Sequence, residues 1–110
     1  MQKEASLFKV LAEPLRLRLA VLLASQGEVC VCHLAQALNE PDFKISKHLG
    51  VMRAAGMVEV RRQGTWMYYK MAAAKTGLDK CLQKCFGLHL AEQPTAQEDL
   101  RRLEKAIAGK

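Results

Sequence analysis

At 110 residues the chain has the length of one domain, with enough residues to bury a core of its own. Half of the residues are hydrophobic and a quarter charged, which excludes a disordered chain, and no apolar run approaches the ~18 residues of a membrane span. The formal net charge is +6, and between positions 44 and 70 Lys44, Lys47, Arg53, Arg61, Arg62 and Lys70 face Glu59 alone, so that one quarter of the chain carries +5 of it. A basic patch so confined points to a polyanionic partner, nucleic acid first. The opening MQKEASLFKV has no signal-peptide core. The expectation is a cytoplasmic protein with no membrane partner, whose four cysteines are free thiols or metal ligands rather than disulfides.

In chain order, Ala5 to Ala12 reads as a short helix with Leu7, Phe8 and Leu11 on one side. EPLRLRLAVLLAS follows. Its LRLRL core alternates like a strand, but Pro14 suits a first helical position, and Leu15, Leu19, Leu22 and Leu23 keep helical spacing. Val31 to Leu38 is a short helix, and Asn39 to Asp42 a tight connection containing Pro41. Phe43 to Ala55 is the next helix, with Asp42 as N-cap, Gly56 beyond its end, and Ile45, Leu49 and Met52 on its buried side.

From Met57 the period changes. Val58 and Val60 alternate with Glu59 and Arg61, a turn holding Gln63 and Gly64 follows, and TWMYYKM completes a β-hairpin signal. After Lys75 helical spacing returns through Leu78, Cys81, Leu82, Cys85 and Phe86 to about Ala91. Pro94 breaks it, and Thr95 with Glu98 suggests a capping box for a last helix bearing Leu100, Leu103 and Ile107. The result is a single domain over 1–110, mainly α with a β-hairpin, in the order α-α-α-α-β-β-α-α. Short helix, tight turn, second helix and hairpin make a winged helix-turn-helix.

On the Phe43–Ala55 helix, Lys44, Lys47 and His48 lie at i, i+3 and i+4, with Ser46 beside them. The N-terminal part of such a helix enters the major groove, where lysine donates to guanine or phosphate and Ser or His serves either. The hairpin tip Arg61, Arg62, Gln63, Gly64, Thr65 is basic and suits phosphates or the minor groove. All eight polar residues named on the helix and tip are therefore expected DNA contacts.

Cys30 and Cys32 are one residue apart. Side chains at i and i+2 of a regular helix diverge by roughly 200°, so the pair is either two small buried side chains or a chelate that must bend its helix. Cys81 and Cys85, at i and i+4, share a helix face continued by His89, yet they lie among Leu78, Leu82 and Phe86, as packing residues would.

The run LAEPLRLRLAVLL…EVCVCHLAQALN…KISKHLGVMRAAGMVEVRRQGTWMYYKM, from Leu11 to Met71, resembles the ArsR/SmtB family of winged-helix metalloregulatory repressors. The resemblance implies a homodimer, with helices near 76–91 and 96–108 as dimerisation elements, on an inverted-repeat operator that it releases when a metal or metalloid binds. It places Lys44, Ser46, Lys47 and His48 on the recognition helix, and Cys30 and Cys32 at the thiolate site of the arsenic- and cadmium-sensing members. As(III) or Sb(III) is the implied inducer, with Cd(II), Pb(II) or Zn(II) as alternatives and no organic cofactor, because soft ions prefer thiolates. Close arsenic-sensing relatives often carry a third cysteine where this chain has Ala35, so a third donor is missing. Cys81 and Cys85 are the secondary metal candidates, and His33, adjacent to the pair, is a poor match for As(III).

Two rival readings keep other chemistry open. One retains the fold and makes the thiols a redox switch, through a disulfide or persulfide. The other, a thiol enzyme, lacks a CxxC, an oxyanion-cradling loop and a Cys/His arrangement with a third partner. The chain is therefore expected not to be an enzyme, and a protein–protein module built on the basic helix and wing is the remaining alternative.

Overall fold

The structure, a computed structural model, describes residues 1–109. Helices α1 (Gln2–Leu11) and α2 (Pro14–Gln26) lead into a two-residue strand β1 (Val29–Cys30), then α3 (Val31–Leu38) and α4 (Asp42–Ala54). A hairpin of β2 (Val58–Gln63) and β3 (Trp66–Met71) follows, then α5 (Gly77–Lys84), a π-helical turn over Cys85–His89, a 3₁₀ turn over Leu90–Glu92, and α6 (Pro94–Ala108). This is a winged helix-turn-helix, mainly helical with one antiparallel sheet.

Helix α2 is the centre of the core. Leu19, Leu22 and Leu23 are at most 1% exposed, and the helix is held at its start by Pro14 and by Glu13, whose carboxylate accepts from the backbone N–H of Leu15 and Arg16. The helical reading of LRLRL holds. Leu34 of α3, Ile45, Leu49 and Met52 of α4, and Leu103 of α6 are fully buried around it. In the hairpin, Gln63 pairs with Trp66 across a two-residue loop, with Gly64 at φ +63°. A positive φ at the first loop position is what a II′-type turn needs, and glycine takes it without strain.

The sheet has the order β1-β3-β2, with Val29 opposite Tyr69 and Cys30 opposite Tyr68. The expected order omitted β1, because two residues carry no readable period. The helix after Lys75 does not run unbroken to Ala91. It ends at Lys84 and widens into the π turn, where Phe86 is buried and Leu88 exposed.

Caps differ as well. Asp42 is the first residue of α4 rather than its cap: the Pro41 carbonyl already accepts from the N–H groups of Lys44 and Ile45. The capping box expected at Thr95 and Glu98 is absent because Pro94 starts α6 and Gln93 is its cap, two residues earlier than expected. A capping box does open α5, where Thr76 Oγ1 accepts from Asp79 N–H and the Asp79 carboxylate accepts from Thr76 N–H.

Helix α6 folds back on its own chain. Its buried face, with Leu103, Ala96 and Asp99, lies against α3 and α2. Asp99, 1% exposed, accepts from Arg18 Nε (2.9 Å) and Nη2 (2.8 Å) and from Arg102 Nη2 (2.8 Å). Arg102 Nε in turn donates to the Ala37 carbonyl at 2.6 Å. One carboxylate therefore ties α2, α3 and α6 together.

Candidate nucleic-acid interface and thiol site

Ile45, Leu49 and Met52 fix which way α4 faces. The stripe opposite them, at 3.6 residues per turn, holds Phe43, Lys47, Gly50 and Ala54, and all four are exposed. Ser46 and Arg53 flank it on one side, Lys44 and Val51 on the other. His48 lies off this face. It is half-buried, with Nδ1 3.3 Å from Arg16 Nη1, and Arg16 is anchored by donation from Nε to the Val10 carbonyl at 2.7 Å. Lys44 is exposed but makes an ion pair with Glu40 at 3.2 Å. Of the four residues expected on the helix, Ser46 and Lys47 stand most openly toward a groove.

The hairpin tip divides in the same way. Arg62 and Thr65 are exposed, and Arg62 Nε donates to the Gly64 carbonyl, which turns its head along the loop. Arg61 is engaged elsewhere. Its guanidinium donates to both carboxylate oxygens of Glu28, at 3.1 and 2.8 Å, and to Gln63 Oε1 at 2.7 Å, while lying 4.7 Å over the Tyr68 ring. Glu28, which no sequence motif marks, thus neutralises one charge of the basic patch. Arg61 in turn holds the Glu28 carboxyl below the usual carboxylate range.

The two thiols of the CVC pair meet. Cys30 Sγ and Cys32 Sγ are 2.8 Å apart, which a regular helix would forbid. Cys30 is not in the helix, however. It ends β1 and caps α3 with φ −70° and ψ 143°, an extended backbone that swings its side chain round to Cys32 in the first helical turn. The expectation that closing the pair requires bending the helix is therefore corrected: the strand–helix junction brings the sulfurs together in the native fold. Cys30 is buried and Cys32 partly so. Burial, followed by the neighbouring Cys30, pushes the Cys32 thiol up to about 11.

Cys81 is exposed and Cys85 half-buried on the far side of the π-turn boundary. Among the described residues no three His, Cys, Asp or Glu side chains gather closely enough to hold a metal. Cys30 and Cys32 are thus a two-thiol set within their own chain, and neither Cys81 nor Cys85 brings a third donor to them there. No helix among those residues is long and apolar enough to cross a membrane.

The backbone matches a solution structure from Mycobacterium bovis, described as a homodimeric winged helix-turn-helix DNA-binding domain and a possible ArsR-family transcriptional regulator. The match has a TM-score of 0.65 and 31% identity, over 84% of this chain and 86% of that one. Residues 13–60 match the bacterial regulatory proteins of the arsR family. The chain belongs to the ArsR family. This ArsR-family chain is 50% identical, over 64 residues, to the arsenic resistance transcriptional regulator ArsR2 of Pseudomonas putida, a match covering 58% of the chain and 56% of the relative. It is 44% identical, over 66 residues, to the arsenical resistance operon repressor of Escherichia coli, covering 60% of the chain and 56% of the relative. The chain thus matches little more than half the length of either curated relative. The family and these relatives are transcriptional regulators, not enzymes.

The ArsR-family architecture here puts the thiol pair at a branch point. Residue 30 is paired into the sheet opposite Tyr68 of the wing, and residue 32 lies in the first turn of α3, which packs on α4. The pair is chemically soft, two sulfurs with no third donor among the described residues close enough to complete a metal site. Two thiols of this kind suit a thiophilic ion.

Proposed function

We propose that this chain is a homodimeric transcriptional repressor that binds an inverted-repeat operator and releases it when As(III) or Sb(III) is held by Cys30 and Cys32. The observation that carries the reading is the 2.8 Å approach of the two thiols at the point where the wing strand and α3 join. Lys47, Ser46 and Lys44 on α4, with Arg62 and Thr65 on the wing, are the DNA-facing set. His48 and Arg61 position these elements from behind.

A soft ion spanning both sulfurs fixes their separation by its own bond lengths. Any departure from 2.8 Å falls on β1 through residue 30 and on the first turn of α3 through residue 32. One displacement then reaches the wing by the β1–β3 ladder and α4 by the α3–α4 contact. A third donor, where the ion requires one, comes from solvent or from a second molecule. Similarity to an arsenic resistance transcriptional regulator and an arsenical resistance operon repressor supports the choice of ion.

The homodimer needs apolar surface outside the DNA face. Phe8 of α1 and Leu88 of the π turn are 50% and 57% exposed, and they provide it. The raised Cys32 thiol weighs against a peroxide-sensing switch, because oxidation follows the thiolate fraction.

The test is fluorescence anisotropy of an operator fragment under reducing conditions, with arsenite as titrant. Affinity is expected to fall about 5- to 150-fold, the usual range of allosteric coupling, and Cys30→Ser or Cys32→Ser to abolish that fall. Operator affinity indifferent to arsenite, or a full response from the double serine variant, would overturn the reading.

A further inference from the structure

Phe43 has no partner in the fold that accounts for it. It lies in the first turn of α4, 77% exposed, on the stripe directly opposite Ile45 and one turn before Lys47. One exposed apolar side chain is ordinary on a protein surface; what singles out Phe43 is its place on the helix face that also carries Lys47. What surrounds the ring identifies the contact. Lys44 and Lys47 are its neighbours, and the stripe beyond it stays flat, since a Cβ on Gly50 would meet nothing within 4 Å. Lys44 is already paired with Glu40, but a bare apolar surface of another protein would leave the Lys47 ammonium unmatched, whereas a polyanionic groove matches it.

Within a DNA groove the chemistry narrows further. A phenyl ring has no donor or acceptor, so it gains nothing from phosphates or from the polar base edges. The C5-methyl of thymine is the one apolar group that a base presents in the major groove. The N-terminal residues of the second helix of a helix-turn-helix are those that reach base edges.

We infer that Phe43 is a specificity-determining residue that reads a thymine methyl in each half-site. Lys47 and Lys44 hold the helix by charge, and Phe43 selects the sequence. The inference rests on the DNA-binding reading above and goes beyond it by naming the base group and the side chain that reads it.

The experiment compares one DNA ligand, selected from a random pool by the wild-type protein, in two forms: with thymine, and with every thymine replaced by deoxyuridine. Loss of a single buried methyl is worth about fourfold in affinity. Wild type is expected to bind the uracil form about fourfold or more weakly. Phe43→Ala is expected to bind both forms equally and more weakly than wild type binds the thymine form. Its melting temperature should stay unchanged, because the side chain is exposed, and its affinity for mixed-sequence competitor DNA should also hold.

Equal binding of both forms by wild type would overturn the methyl contact while leaving DNA binding intact. An equal loss in both proteins would assign the methyl to a different reader and overturn the role of Phe43. Failure to recover any DNA ligand would remove the DNA-binding reading itself, and this inference with it.

Discussion

At the residue scale the chemistry turns on the protonation of Cys32. Metal and metalloid ligation needs the thiolate, yet this thiol is held up at about 11 by burial and by Cys30. The sign follows directly. At neutral pH the free protein carries the Cys32 proton, so binding a metal cation such as Cd(II) must expel it, and raising the pH toward 11 favours that binding. That proton alone makes apparent Cd(II) affinity rise about tenfold per pH unit across the neutral range, whereas arsenite, As(OH)3, loses a hydroxide that takes up the thiol proton as water and shows no such rise. Isothermal titration of Cd(II) in buffers of different ionisation enthalpy should detect its release, and a pH-independent Cd(II) affinity would show that Cys32 is not a ligand. The sequence revealed the pair but not its geometry. Spacing of i and i+2 speaks against a shared ligand only if both residues are helical, and the extended φ,ψ of Cys30 arises from its pairing with Tyr68, far along the chain. For the same reason His48 reads as a groove residue in the sequence. Its tie to Arg16 depends on where α2 crosses α4, which no local pattern encodes.

At the element scale the small strand β1 matters most. It joins the cysteine segment to the wing twice, by its ladder to β3 and by the two-pronged contact of Arg61 with Glu28. The long periodic elements were legible in the sequence: α2 from its leucines, α4 from Ile45, Leu49 and Met52, and the hairpin from its alternation and Gly64. What was not legible is short or compensated, namely β1, the π turn that ends α5, and the charge of Arg61 cancelled by Glu28. Counting Arg61 as a phosphate contact therefore overstates the wing. In Glu28→Gln the guanidinium is released toward the DNA, and the slope of log affinity against log salt should steepen by about one per protomer. Arg61→Ala should leave that slope nearly unchanged, whereas Arg62→Ala should reduce it by about one. Binding isotherms over a salt series measure all three, and a loss of slope in Arg61→Ala equal to that in Arg62→Ala would show that Glu28 does not hold Arg61 away from phosphate.

At the scale of the whole molecule the question is which surface remains for a second copy. An amphipathic terminal helix bearing Leu100, Leu103 and Ile107 invites assignment to a dimer interface, but this fold spends that face internally. Leu103 is fully buried, Leu100 and Ile107 pack on the core, and Asp99 binds Arg18 and Arg102. The proposed dimer therefore uses α1 and the π turn, where Phe8 and Leu88 stay exposed. Two substitutions separate the roles. Asp99→Ala leaves two guanidinium groups without their buried carboxylate and should cost about 3 kcal/mol. For a chain of this size that lowers the melting temperature by roughly 10–20 °C. Leu88→Glu places a charge on the exposed apolar surface. It should leave the melting temperature of the isolated protomer nearly unchanged while shifting the size-exclusion volume from dimer to monomer. Operator affinity should fall with it, because two half-sites are then bound by separate molecules rather than one. A dimer that survives Leu88→Glu and Phe8→Glu together would place the interface elsewhere. Dissociation by Asp99→Ala without loss of stability would return α6 to the interface.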